Sequence, residues 1–153
     1  MYRHTQHASP FLMGYLGIVT LVMLGALVLL LASPATRGEA IALGLGVAVL
    51  VGCMVVFRSM TIEVAGGRLT WWYGPGWPRR SVPLSTIAAA RPARTRWWDG
   101  WGIHWTRRGW LWNVRGYDAV ELERRGARSF RLGTDEPQAL AEAVGSVGVV
   151  AAR

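Results

Sequence analysis

"FLMGYLGIVTLVMLGALVLLLA", residues 11–32, runs for twenty-two residues without a charge. As a helix it is about 33 Å long, enough to cross the hydrocarbon of a bilayer. "SPATRGE" (33–39) interrupts it with a proline and two charges. "AIALGLGVAVLVGCMVVF" (40–57) then adds eighteen uncharged residues, about 27 Å as a helix and still within the range of a span. The competing reading of the first run is a cleaved signal peptide, with Arg3 ahead of it and "LLLASPA" for cleavage. Its apolar stretch exceeds the roughly 7–15 residues of a signal core, and a second run follows directly. The expected organisation is a tail (1–10), a helical hairpin (11–57), a folded domain (58–148) and a C-terminal tail (149–153).

The chain carries 17 arginines, no lysine and 9 acids, for a net charge of +8. Arginine without lysine, beside abundant Ala, Gly and Val, is the pattern of a GC-rich genome, so arginine content alone says little about function. Its distribution says more. Arg3 precedes the first run and Arg37 sits between the two, while Arg58, Arg68, Arg79 and Arg80 follow the second. The positive-inside rule then places both termini in the cytoplasm. The lone Cys53 allows no intrachain disulfide. Neither run contains Asp, Glu, Lys, Arg or His, which argues against an ion or proton path through the hairpin. Ala40, Gly44, Ala48 and Gly52 recur every fourth residue, a stripe of small side chains expected to pack helices within the hairpin or between copies.

From residue 60 the pattern changes to short alternating runs punctuated by Gly and Pro, the signature of a small antiparallel β structure. "TIEVA" and "RLTWWY" flank Gly66-Gly67, a hairpin dipeptide. "RRSVPL", "TIAAARPART", "GIHWT" and "WLWNV" follow, and "DAVELERRG" with "RSFRLGT" makes a last hairpin around Arg125-Gly126. Pro92 suits an edge strand or a bulge. "TDEPQALAEAV" opens a helix with Thr134 or Asp135 as N-cap and Pro137 in the first turn. Leu140, Val144 and Val147 form its docking face, with Gly145 or Gly148 as its stop.

The segment "GWGIHWTRRGWLWNVRGYDAVELERRGARSFRLGTDEPQALAEAV" (100–144) resembles the C-terminal half of bacterial pleckstrin-homology-like domains in small membrane-anchored proteins. The GWGI-type strand, the Gly109-Trp110 turn, "YDAVELE" and "RLGTDEP" carry the likeness. With the preceding hairpin, it covers nearly the whole chain. The resemblance implies an α+β membrane protein of the bacterial cytoplasmic membrane. A seven-stranded antiparallel barrel or sandwich with one C-terminal capping helix would follow two spans. It implies no catalytic residues and no cofactor.

All nine tryptophans lie between residues 71 and 112. Around Arg107-Arg108, a two-residue loop pairs Trp105 with Trp110 and gathers the hairpin's indoles on one side. A three-residue loop with Gly109 left-handed pairs Trp105 with Leu111 instead, and is favoured because Gly109 sits where it needs glycine. Trp71, Trp101, Trp105, Ile103 and Leu111 are then expected in the core, and Trp110 and Trp112 outward beside His104. Trp77, Trp97 and Trp98 lie in loops. Residues 68–115 hold nine arginines and one acid, Asp99, whereas most of the acids follow.

Near a cytoplasmic leaflet, such an edge suits anionic headgroups. Arg79, Arg80, Arg94, Arg96, Trp97, Trp98, Arg107 and Arg108 are the residues expected to make that contact or to meet a protein partner. The leading expectation is a non-catalytic, membrane-anchored binding module. The alternatives are an accessory subunit without its own ligand and nucleic-acid binding through Arg and Trp, which the tether and the lack of a binding motif disfavour. No His/Cys cluster has metal-ligand spacing, and no nucleophile motif occurs. Glu121 and Glu123 alternate with Val120 and Leu122 as a solvated face, and His104 near Asn113 is the one polar pair worth locating.

Overall fold

The computed structural model describes residues 1–32, 34–96, 102–107 and 109–150, with side chains to residue 146. It is α+β. β1 (Tyr2–His7) precedes α1 (Pro10–Leu31) and α2 (Arg37–Phe57). There follow β2 (Ser59–Ala65), β3 (Arg68–Tyr73), β4 (Arg79–Pro83), β5 (Ile87–Arg94), β6 (Gly102–Thr106), β7 (Gly109–Asn113), β8 (Asp118–Arg124), β9 (Ala127–Gly133) and α3 (Pro137–Val150).

Both N-terminal helices are long and apolar enough to cross a membrane. α1 begins with Pro10 at its first turn, where a missing N–H is harmless. Ile18, Leu21, Val28, Ile41, Leu45 and Val49 are each about two-thirds exposed, an apolar surface that needs lipid or another apolar face to cover it. Between the helices, the Thr20 hydroxyl donates to Leu16 O at 2.8 Å and stands 3.7 Å from Met54 Sδ.

The small-residue stripe divides. Ala40 is buried, and a β-carbon on Gly44 would touch Leu27. Ala48 is exposed, and Gly52 faces open space. Four residues turn a helix by about 400°, so a four-residue stripe drifts away from a fixed partner; Val47, not Ala48, stays buried.

The expected seven-stranded barrel does not form. The strands make two sheets, β1-β2-β3-β4 and β5-β8-β9-β7-β6, and these do not close. β4 ends at Pro83, and a 3-10 turn over Leu84–Thr86 redirects the chain into the second sheet. Proline lacks the N–H that would continue a ladder. β7 runs parallel to β9, which breaks a simple meander. The N-terminal tail is itself a strand, paired antiparallel to β2 from Tyr2↔Val64 to His7↔Ser59.

Met60, Ile62, Val64, Leu69, Trp71 and Tyr73 face Trp112, Val120, Leu122, Phe130 and Leu132 across the sandwich. Gly66 and Gly67 both have positive φ, as the predicted hairpin turn requires. Pro92 lies on β5, an edge strand as expected.

α3 docks on β5 and β8 through Leu140 and Val144. Two details differ from expectation. The helix starts at Pro137, so Thr134 and Asp135 precede its cap, and the Thr134 hydroxyl accepts from Glu136 N at 3.1 Å. The helix also continues through Gly145 and Gly148, since a helical glycine costs only about 1 kcal/mol.

Candidate functional site

The β3–β4 turn is built on the end of α2. A β-carbon at Gly74 would lie 2.6 Å from Val55 O and 3.0 Å from Val56 O, two of the terminal carbonyls that a helix leaves unpaired. Gly74 N donates to Ser59 O at 2.9 Å. Phe57 meets Tyr73 edge to face at 4.9 Å. The Tyr73 hydroxyl shares its proton between Gly102 O and Asn113 O, at 3.2 and 3.3 Å. It thereby ties the last aromatic of α2 to both sheets, and burial raises its pKa.

This seat brings a basic, aromatic group next to the helix end. Trp77, in the turn, is 71 % exposed. Trp72 lies between two guanidinium groups, Arg79 at 4.9 Å and Arg3 at 5.6 Å. Arg58, the C-cap of α2, and Arg80, on the edge strand β4, are exposed.

The other expected contact residues are spread differently. Strand directions put Arg94, Asp118, Asn113 and Gly102 at one end of the five-stranded sheet. Phe57 lies 3.9 Å from a β-carbon built on Gly102, so this is the end nearer α2. Arg94 is there but pairs with Asp118 at 3.3 Å, and Arg96 follows, exposed. Arg107 is at the opposite end, about 16 Å along β6 from Gly102. Trp97, Trp98, Trp101 and Arg108 lie outside the described residues.

The tryptophan hairpin takes the two-residue register, pairing Trp105 with Trp110 and Thr106 with Gly109. Trp105 is therefore half-exposed instead of core, and Trp112 is buried instead of outward. Gly109 does have positive φ, but the loop is not the only demand on it. A β-carbon there would collide with the Ser129 carbonyl of β9, so close parallel pairing requires glycine.

Asn113 does not serve a histidine. Its amide donates to Gly116 O at 3.0 Å and accepts from Arg115 N at 3.1 Å, closing the turn after β7. Glu121 is not a freely solvated acid; Arg131, 4 % exposed, donates to it through Nε at 2.8 Å. His4 lies 2.6 Å from Asp135 and 3.4 Å from Glu136, a contact that fastens β1 beside α3. Among the described residues no group of three His, Cys, Asp or Glu side chains could hold a metal.

Sequence reading missed Arg58, Trp72 and Arg3 as members of the edge. Arg58 had a signal, as the first charge after the second apolar run. Comparison of the chain with protein-family models, with curated proteins and with solved structures yields no match.

Proposed function

We propose that the chain is a non-catalytic, membrane-anchored module of the cytoplasmic membrane. Its folded domain meets anionic headgroups beside the end of α2 and offers its remaining surface to a protein partner. The observation that carries this reading is the seat of the β3–β4 turn on Val55 and Val56, with exposed Trp77, Arg58, Arg79 and Arg80 around it. A tryptophan and several arginines at a helix end suit the headgroup layer, where each arginine gains about 1 kcal/mol near an anionic surface. The β1·β2 pairing supports placing both ends of the helical hairpin on one side, and the arginine distribution favours the cytoplasmic side. A pleckstrin-like identity is favoured by the sandwich followed by a single helix, on the resemblance of residues 100–144.

The test uses the full chain, since β1 belongs to the first sheet. In nanodiscs, brominated anionic lipid is expected to quench tryptophan emission more than brominated zwitterionic lipid. Arg79→Glu with Arg80→Glu, or Trp77→Ala, should remove most of that difference. Equal quenching by both lipids, unchanged in the variants, would sink the headgroup assignment.

A further inference from the structure

We propose that the tryptophan-lined cavity between the two sheets binds a single-chain anionic amphiphile, an apolar tail ending in a phosphate or carboxylate. The cavity is a cleft open to solvent on one side, with a volume of about 660 Å³, within the usual range for small-molecule sites. It lies where the sandwich fails to close, between edge strand β4 and the β6–β7 side of the other sheet. Trp71, Trp105, Trp110, Trp112, Phe130 and Ile103 make its apolar walls. Arg80, Arg124 and Arg128 also line it, and among the described residues no acid does.

Two of these side chains hold donors with nowhere to bond. The indole N–H of Trp71, a residue 3 % exposed, is buried without a hydrogen-bond partner, and so is Nε of Arg124. Buried donors are normally satisfied, so each unpaired one calls for a missing acceptor. Arg128 is held 5.2 Å over the Trp105 ring, and Trp105 meets Trp110 edge to face at 5.3 Å. Both of those indoles remain half-exposed, apolar surface that a ligand tail would cover. Apolar walls whose charged groups, among the described residues, are all cationic select a ligand that is apolar along its length and negative at its end. A peptide strand added to β4 is disfavoured, because Pro78 precedes that strand and Pro83 ends it, removing ladder donors at both ends.

The proposal does not rest on the headgroup reading. Arg124 and Arg128 lie at the end of their sheet away from Phe57, and only Arg80 is common to both. The test titrates octyl phosphate into the full chain in nanodiscs of zwitterionic lipid, following tryptophan fluorescence. Saturable binding is expected, with octyl glucoside, of equal tail and no charge, giving no saturable response. Arg124→Gln with Arg128→Gln should weaken binding about tenfold or more, as lost charge-assisted hydrogen bonds do. Trp71→Phe, which keeps the ring but removes the N–H, should weaken it several-fold, and Arg91→Gln, outside the cavity, should not change it.

Arg128→Gln alone, at an exposed position, carries the test if Arg124→Gln disturbs folding. Discs doped with lysophosphatidic acid identify the source: competition with octyl phosphate points to the leaflet, and no competition to a soluble amphiphile. A non-saturable response, equal response across the variants, or a matching response to octyl glucoside overturns the proposal. Displacement of octyl phosphate by an acidic peptide that binds more tightly overturns it in favour of a peptide surface.

Discussion

Gly74 and Val55 are in such close apposition that a β-carbon on the glycine would stand 2.6 Å from the valine carbonyl oxygen. The β3–β4 turn therefore has no room to sit on α2 with any other residue. Gly74→Ala is expected to lift the turn and destabilise the domain by about 1–3 kcal/mol, the usual cost of overpacking. Gly52→Ala, into open space on the same helix, is the control. Chemical denaturation of both variants in the same detergent measures the difference, and equal stability would show that the turn is not seated there.

Gly109 carries two constraints, a φ of 102° and the approach to Ser129 of β9. Gly109→Ala should cost more than about 3 kcal/mol, strain and steric displacement together. Gly126→Ala, with positive φ but no neighbour within 4 Å, should cost about 1–2 kcal/mol. Amide exchange across β7 and β9 checks whether the extra loss comes from the parallel pair.

Arg131 is buried and Glu121 partly exposed, with Arg131 Nη2 2.5 Å from the carboxylate. Glu121→Ala leaves the guanidinium in the sheet without its counter-charge, and about 2–4 kcal/mol should be lost. Arg131→Met should cost less, because the partly exposed Glu121 regains water. The exposed pair Arg91–Glu123 should contribute under about 1 kcal/mol. Thermal melting of Glu121→Ala, Arg131→Met and Glu123→Ala orders them.

Alkali should unfold this domain through Tyr2. Burial first, and then the Glu136 carboxylate, push its pKa from 10.0 to about 12. The folded state thus holds the phenolic proton more tightly than the unfolded chain does. Its contribution is complete below pH 10 and is lost as pH rises from about 10 through about 12. Tm measured across that window should fall, and Tyr2→Phe should flatten the fall in part. A residual slope belongs to Tyr73, raised by burial in the same direction. An identical slope in Tyr2→Phe would contradict the assignment.

What the sequence discloses depends on how locally each element is decided. The Gly66-Gly67 hairpin was legible because two alternating runs and their turn are adjacent. The helices were legible because an uncharged run of that length has few other uses. β1, "YRHTQH", has no apolar alternation to announce a strand. Its partners are β2, Arg115 and the start of α3, all distant in the chain. The register of the tryptophan hairpin was misread for a related reason. Gly109 fitted a local turn rule, while its second constraint is the carbonyl of Ser129, on a strand that sequence reading did not place beside it. Of the candidate edge, Arg79 and Arg80 open β4 directly after the turn that Gly74 seats on α2, a placement that no periodicity reveals.

β1 also sets the order of events in biosynthesis. Its six residues precede both apolar helices in the chain, while their partner strand follows them. In a hairpin inserted with its two ends together, Tyr2–His7 waits beside the membrane until Ser59–Ala65 arrives, and the first sheet closes. If the first helix threads the opposite way, β1 is stranded across the bilayer and β2 is left as a bare edge. The β1·β2 pairing is thus open only to a hairpin whose two ends share one side, and a bulky insertion directly before Tyr2 would hinder it.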